Sequence, residues 1–134
     1  MSEVVVSVIY GYDTTPITAE VTVLVENNGS GLRVFPALPA LSLGDWKVTW
    51  KLRPGPGVTN LKFDENIGIA FGEVPPLLSL NDSHFVSDTQ WEASFTNRVE
   101  SANLASYTIH GTSDEGPFNH DPAIAVVPDP PPGG

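Results

Sequence analysis

The chain has no cysteine among its 134 residues. This absence excludes disulfide bridges and thiolate metal sites, and a single domain of this length can bury a core without them. Basic residues are also scarce, with six Lys and Arg against sixteen Asp and Glu and a formal net charge of −10. Because such a chain repels phosphates, we expect no nucleic-acid partner and no binding to anionic membranes.

Long apolar runs are absent as well. No stretch approaches the roughly 20 apolar residues that a bilayer-spanning helix needs. The first residues, Met1-Ser2-Glu3 followed by the apolar Val4 to Ile9, lack the basic region of a signal peptide. We therefore expect a soluble protein located in the cytoplasm.

Strict two-residue alternation is what the sequence does contain, most clearly from Trp46 to Arg53. Successive side chains of a strand point to opposite faces, so this pattern predicts one face on a core and one in water. The predicted wet face carries half of the chain's six basic residues. We expect these side chains to pair across the sheet with acidic residues. The acidic candidates are Glu20, Glu26 and Glu92.

Similar strand patterns recur along the chain and are separated by turn residues such as Pro54-Gly55-Pro56-Gly57. They predict an all-β domain, an antiparallel two-sheet β-sandwich of the immunoglobulin-like or jelly-roll kind with about seven to nine strands. The expected domain covers residues 1–127, and a Pro/Gly-rich tail over 128–134 is expected to be disordered. The predicted strands cover residues 4–10, 19–26, 46–53, 60–63, 67–71, 88–95, 105–110 and 123–127.

Catalytic patterns are not evident. There is no Gly-x-Ser-x-Gly motif, and the three histidines, His84, His110 and His120, lie in separate segments. We therefore expect no enzymatic activity. His110 and His120 flank residues 111–119, and a hairpin there would bring them near each other and near acidic side chains, which leaves a transition-metal site as one hypothesis.

A binding module is the alternative function. Calcium suits loops rich in hard oxygen ligands, although no EF-hand register occurs, and no other cofactor is expected. The weak metal candidates are Asp64, Glu65, Asp82, Asp114, Glu115 and Asp121. A carbohydrate-binding face would need exposed aromatic rings, but Trp46, Trp50 and Trp91 fall on predicted core faces. The less constrained rings are Tyr10, Tyr12, Phe35, Phe85 and Phe118.

The C-terminal third carries a Trp91-Glu92-Ala93 strand, a Tyr107-containing strand and a closing Asp121-Pro122-Ala123-Ile124 segment. This pattern resembles the end of the bacterial AidA/PixA inclusion-body protein family over about 35 residues. The resemblance implies a cytoplasmic β-sandwich linked to protein inclusions, without established enzymatic activity. It transfers no functional residues to this chain.

The leading hypothesis is a protein that acts through self-assembly or through a protein partner, as a homo-oligomer. Its support is an unusually apolar first predicted strand and two apolar but irregular stretches, Phe35 to Leu43 and Val74 to Leu80. Exposed apolar loops or an uncovered edge strand require a partner if non-specific aggregation is to be avoided.

Overall fold

Strands alone build the described part of the chain. The computed structural model describes residues 16–27, 32–36 and 40–130, without the side chains of residues 33, 35 and 36. Within these ranges there are eleven strands and no helix, hence none that could span a bilayer. In chain order they are β1 (Ile17–Asn27), β2 (Leu32–Pro36), β3 (Ala40–Leu41), β4 (Gly44–Pro54), β5 (Lys62–Phe63), β6 (Ile69–Phe71), β7 (Leu78–Ser87), β8 (Gln90–Asn97), β9 (Asn103–Ser113), β10 (Gly116–His120) and β11 (Ala123–Val126).

The first sheet contains five strands in the order β2-β1-β4-β8-β7. β4 lies at its centre and pairs antiparallel with β8, where Trp50 is opposite Trp91. On its other side β4 pairs parallel with β1, where Trp50 is opposite Val21. The all-β, two-sheet prediction is confirmed, but the sheet is mixed rather than purely antiparallel. β2 returns the chain along β1, so that β4 can run in the same direction as β1.

The second sheet is organised around β9, its longest strand. β5 and β6 pair antiparallel with one edge of β9, on either side of the turn at residues 64–68. β10 and β11 pair with the other edge in one continuous register, and the amide of Tyr107 donates to the carbonyl of Pro122 (3.0 Å) between them. Proline cannot donate a ladder hydrogen bond, which explains the break at this point. β3 then pairs parallel with β11.

The core lies between the inward faces of the two sheets. The predicted inward residues of the Trp46–Arg53 strand, Trp46, Val48, Trp50 and Leu52, are all buried. Trp50 donates its indole N–H to the Tyr107 hydroxyl (3.1 Å), and the two rings meet edge to face at 5.5 Å. The sheets are thereby joined by a polar contact inside the core. Inward residues of the facing strands are buried in the same way, including Trp91, Ala93, Phe95, Ala105 and Ile109.

One buried amide, that of Asn97 at the end of β8, joins three segments at one end of the sandwich. Its side chain is 1% exposed, and the two hydrogens of its Nδ2 are shared among the carbonyls of Leu41 (2.9 Å), Ser42 (2.8 Å) and Val127 (3.3 Å). Its Oδ1 accepts from the amide of Val99 (3.2 Å). Because buried polar groups are costly unless they are paired, this network fixes β3 and the residue after β11 against the first sheet.

The structure differs from the sequence prediction mainly at the sheet edges. The strand pattern predicts none of β2, β3, β7 and β10. β7 lies at the edge of the first sheet with most of its side chains exposed, so that it lacks an apolar alternation. The predicted strand at residues 4–10 lies outside the described residues. The predicted tail is described as far as Pro130, and the Asp129 carbonyl accepts from the Leu43 amide (2.9 Å).

Candidate functional site

The outer face of the first sheet carries ion pairs between neighbouring strands. Lys51 on β4 reaches Glu20 on β1, with 2.9 Å between Nζ and Oε2. Lys47, also on β4, lies 3.5 Å from a carboxylate oxygen of Glu92 on β8. The predicted cross-strand pairing of the basic residues is confirmed for these two lysines. Pairing cancels much of the local charge, so this part of the face offers little to a charged partner.

His84 extends this network to the edge strand β7. Its Nδ1 lies 2.6 Å from Asp82 Oδ2, and its Nε2 lies 3.5 Å from Glu92 Oε1. All three side chains are on the outer face of the first sheet, and His84 and Asp82 are about half exposed. β7 also departs twice from regular pairing, between Leu80 and Asp82 and between Phe85 and Ser87. Bulges and charges of this kind discourage the addition of a further strand to a sheet edge.

The outer face of the second sheet has a different character. Ala40, Ala125 and Leu104 are consecutive cross-strand partners on β3, β11 and β9, and all three side chains are uncharged. Leu104 is 62% exposed, more than any other large hydrophobic residue in the described part of the chain. Ser106 and Ala123 form the next pair of this face. A contiguous apolar surface on a folded protein marks a place where another molecule can bind.

A shallow groove of about 370 Å³ separates Leu104 from the segment that connects β6 to β7. Val74 and Pro76 line its opposite wall, and Glu73 lies at its rim. Glu73 is exposed and has no ion-pair or hydrogen-bond partner among the residues that the structure describes. We call this surface the Leu104 patch, defined by Ala40, Glu73, Val74, Pro76, Leu104 and Ala125.

A second apolar depression, of about 630 Å³, lies at the far end of the first sheet's outer face. Leu24 is the cross-strand partner of Arg53 there, and the turn after β4 closes along β1 because the Gly55 amide donates to the carbonyl of Val25 (2.8 Å). A Cβ at Gly55 would lie 3.1 Å from Leu24 Cδ1, so glycine permits this close approach. We call this surface the Arg53 groove, defined by Thr22, Leu24, Arg53, Pro54, Gly55 and Pro56.

Arg53 is the exposed charge of the Arg53 groove. Unlike Lys47 and Lys51 on the same strand, it has no ion-pair or hydrogen-bond partner among the described residues. Its guanidinium is therefore available to a carboxylate of another molecule, in a geometry that can be bidentate.

Two of the predicted metal candidates, Asp64 and Asp114, instead organise turns. Asp64 Oδ1 accepts from the amides of Asn66 (2.9 Å) and Ile67 (3.1 Å), and these hydrogen bonds lower the pKa of the carboxyl from its ordinary value. Asp114 accepts from the Thr59 hydroxyl (2.6 Å) and the Asn60 amide (2.8 Å), which lowers its pKa in the same way. Both carboxylates are thus engaged by donors of the chain itself.

The other candidates are dispersed over the fold. Glu115 Oε1 accepts from the side-chain amide of Asn27 (3.0 Å), and Asp121 Oδ1 accepts from the Thr108 hydroxyl (2.8 Å). Asp82 lies on the first sheet beside His84, and Glu65 is exposed in the turn after β5. Among the described residues, no three His, Asp or Glu side chains are grouped so that they could hold a metal ion.

The side chains of His110 and His120 do not lie together as the hairpin hypothesis predicts. Both lie on the β9–β10 hairpin, but His110 is opposite Asn119 and His120 is opposite Ile109. Cross-strand partners share a face, and Ile109 is fully buried, so that His120 lies on the core side of the pair and His110 on the outer side. The prediction of a shared metal site fails because the register offsets the two residues by one position.

The aromatic side chains that the structure describes line the core rather than an exposed platform. Trp46, Trp50 and Trp91 are buried, as their strand pattern predicts, and Phe118 is buried as well. Phe85 packs edge to face on Trp91, with ring centroids 6.2 Å apart. The other rings that the sequence left open, Tyr10, Tyr12 and the side chain of Phe35, lie outside the described residues.

Comparison with known proteins gives no assignment. No protein-family model matches the chain, and no curated protein matches it.

Proposed function

We propose that this protein is a non-enzymatic β-sandwich that acts through self-assembly or protein interaction. The observation that carries the proposal is the Leu104 patch, where the most exposed large hydrophobic side chain of the described residues lies beside Ala40 and Ala125, with Glu73 as the one charged residue of the patch. Apolar area removed from water stabilises a complex by about 25 cal/mol per Å² before the costs of association.

The contrast between the two outer faces supports this proposal. On the outer face of the first sheet, Lys47, Lys51 and His84 pair with carboxylates of the same face. The outer face of the second sheet presents Leu104 without such a polar network beside it. A partner that covered the Leu104 patch would gain apolar burial without desolvating a paired charge.

The distribution of histidines supports the non-enzymatic part of the proposal. His84 lies on the outer face of the first sheet, whereas His110 and His120 lie on the two sides of the β9–β10 pair. Nucleophilic catalysis pairs one histidine with a nucleophile as well as with an acid, whereas the partners of the half-exposed His84 side chain among the described residues are two carboxylates, Asp82 and Glu92. The resemblance to inclusion-body proteins agrees with an assembling protein of the cytoplasm, which we include in the proposal.

The test is the mass of the protein in solution over a hundredfold range of concentration, measured by light scattering after size-exclusion chromatography. We expect a mass above the 14.3 kDa of one chain that increases with concentration. Leu104→Ser should reduce it, whereas Ile67→Ser, which changes another exposed apolar side chain, should not. A monomer at every concentration that also captures no protein partner would overturn the proposal.

A further inference from the structure

Resting on the proposed function, we propose that the chain self-assembles head to tail, with the Leu104 patch of one copy seated in the Arg53 groove of the next. One surface presents the exposed Leu104, and the other presents an apolar depression of about 630 Å³ between Leu24, Pro54 and Pro56. A protruding apolar side chain of one molecule can occupy a pocket elsewhere on an identical molecule.

Charge complementarity favours a second copy as the occupant. Glu73 at the rim of the Leu104 patch and Arg53 in the Arg53 groove are opposite in sign, and neither has a partner among the described residues. Lys47 and Lys51 are already paired with Glu92 and Glu20, and Lys62 and Arg98 lie outside both surfaces. An intermolecular Arg–carboxylate pair beside a buried leucine would orient the contact, because mismatched charges there are repulsive.

The positions of the two surfaces determine the kind of assembly. The Arg53 groove lies on the first sheet at the end of β4, whereas Leu104 lies on the second sheet at the start of β9. β9 starts at the end of the sandwich where Gly44 of β4 pairs with Asn97 of β8. The two surfaces therefore occupy opposite faces and opposite ends, about 30 Å apart along the strands, from the strand rise between Gly44 and Arg53.

One pair of copies cannot satisfy both surfaces at once in this arrangement. Each copy added leaves one free patch and one free groove, so the contact is heterologous and generates rings or open chains rather than a closed two-fold dimer. Each contact involves one leucine, a few prolines and a single ion pair, which is typical of small interfaces at the weak, transient end of the range. We expect the mass to rise gradually with concentration, without a plateau at two chains.

Charge reversal tests the contact directly. Arg53→Glu and Glu73→Arg each place like charges at the proposed contact, and each should raise the concentration needed for half-maximal association about tenfold or more. Both residues are exposed, so that the thermal unfolding of the variants should match the wild type. Lys62→Glu and Glu65→Arg make the same charge changes at exposed positions outside both surfaces and serve as matched controls.

A mixture of the two variants gives the sharpest result. Arg53→Glu copies carry two negative sites and Glu73→Arg copies carry two positive ones, so each variant alone should associate only at the raised concentration. Mixed in equal amounts, they should alternate and recover association, and the double variant should also recover it. An internal segment of the same chain seated in the Arg53 groove would not produce this rescue on mixing.

The outcomes separate this inference from the proposed function. Association of the wild type that is unchanged by both reversals, or that stops at a dimer of fixed mass, overturns the head-to-tail contact and leaves self-assembly standing. A wild type that is monomeric throughout and binds no protein overturns both. Loss of association in each single variant with recovery in the mixture establishes the contact.

Discussion

Replacing Asn97 with alanine should lower the free energy of unfolding by more than the loss of one hydrogen bond would, because its side chain bonds to four backbone groups. The amide serves three carbonyls and one N–H, but the groups it leaves behind are not equally affected. The Leu41 carbonyl still accepts from the Val127 amide (3.0 Å), and the Ser42 carbonyl still accepts from the Trp46 indole (2.8 Å). The amide of Val99, which is 5% exposed, loses its acceptor.

The magnitude follows from this difference. An orphaned buried N–H costs about 1–3 kcal/mol, and each hydrogen bond lost from a carbonyl that keeps another partner costs about 0.5–1 kcal/mol. The sum is about 2–5 kcal/mol, a large part of the roughly 5–15 kcal/mol that stabilises a typical domain. At about 4 °C per kcal/mol for a domain of this size, Tm should fall by about 8–20 °C.

Urea and thermal unfolding followed by tryptophan fluorescence provide the assay, because Trp46, Trp50 and Trp91 are all buried in the folded state. Asn81→Ala is the control, since Asn81 donates one exposed hydrogen bond to the Thr96 hydroxyl (2.9 Å) and should cost under about 0.5 kcal/mol. Asn97→Asp should be at least as damaging as Asn97→Ala, because it directs a carboxylate at carbonyl oxygens. Equal stability of Asn97→Ala and Asn81→Ala would refute the reasoning.

Three further changes test other parts of the fold. Gly111→Ala should lower the free energy of unfolding by about 1–3 kcal/mol in urea titrations, because the new Cβ would lie 2.5 Å from Phe118 Cζ and 2.6 Å from the Lys62 carbonyl oxygen. Unchanged stability would contradict this reasoning. The pKa of Asp114 is lowered in the folded state, so its contribution to the free energy of unfolding is complete above the ordinary pKa of 3.8 and is lost as the pH falls through the lowered pKa. The Tm of Asp114→Asn should therefore fall less steeply below pH 3.8 than the Tm of the wild type. Parallel plots of Tm against pH would contradict this. Lys51→Ala should shift Tm by under about 2 °C, since its pair with Glu20 is exposed; a larger fall would indicate a cooperative charge network.

The central strands could be predicted from the sequence because a buried face imposes its alternation on them. The pattern from Trp46 to Arg53 predicts the core side of β4, and the structure confirms it. It also predicts that the basic residues of this strand pair with acidic residues among Glu20, Glu26 and Glu92, which is confirmed for the two lysines with Glu92 and Glu20 but not for Arg53 or Glu26 among the described residues. β7 gives no such signal, because most of its side chains face solvent at a sheet edge. The parallel pairing of β1 with β4 is a long-range choice that no local pattern encodes.

The Leu104 patch and the Arg53 groove could be predicted from the sequence only in part. The stretch Val74 to Leu80 suggests an exposed apolar segment, and Val74 and Pro76 do line the Leu104 patch. Leu104 itself precedes the predicted strand at 105–110, so the sequence pattern does not place it on a strand face. The structure does, because β9 begins at Asn103. The Arg53 groove depends on Leu24 lying opposite Arg53, which follows only from the observed register.

The pairing of β3 with β11 has a consequence for synthesis of the chain. Ala40 can pair with Ala125 only after 85 further residues have been synthesised. The carbonyls of Leu41 and Ser42 likewise gain their hydrogen bonds from Asn97 only after that residue has been added. On a ribosome that adds about 5–20 residues per second, the early half of the chain spends several seconds without the partners of its core face. Unpaired strands of this kind can associate with those of neighbouring nascent chains, so dense polysomes should aggregate more readily than the finished protein.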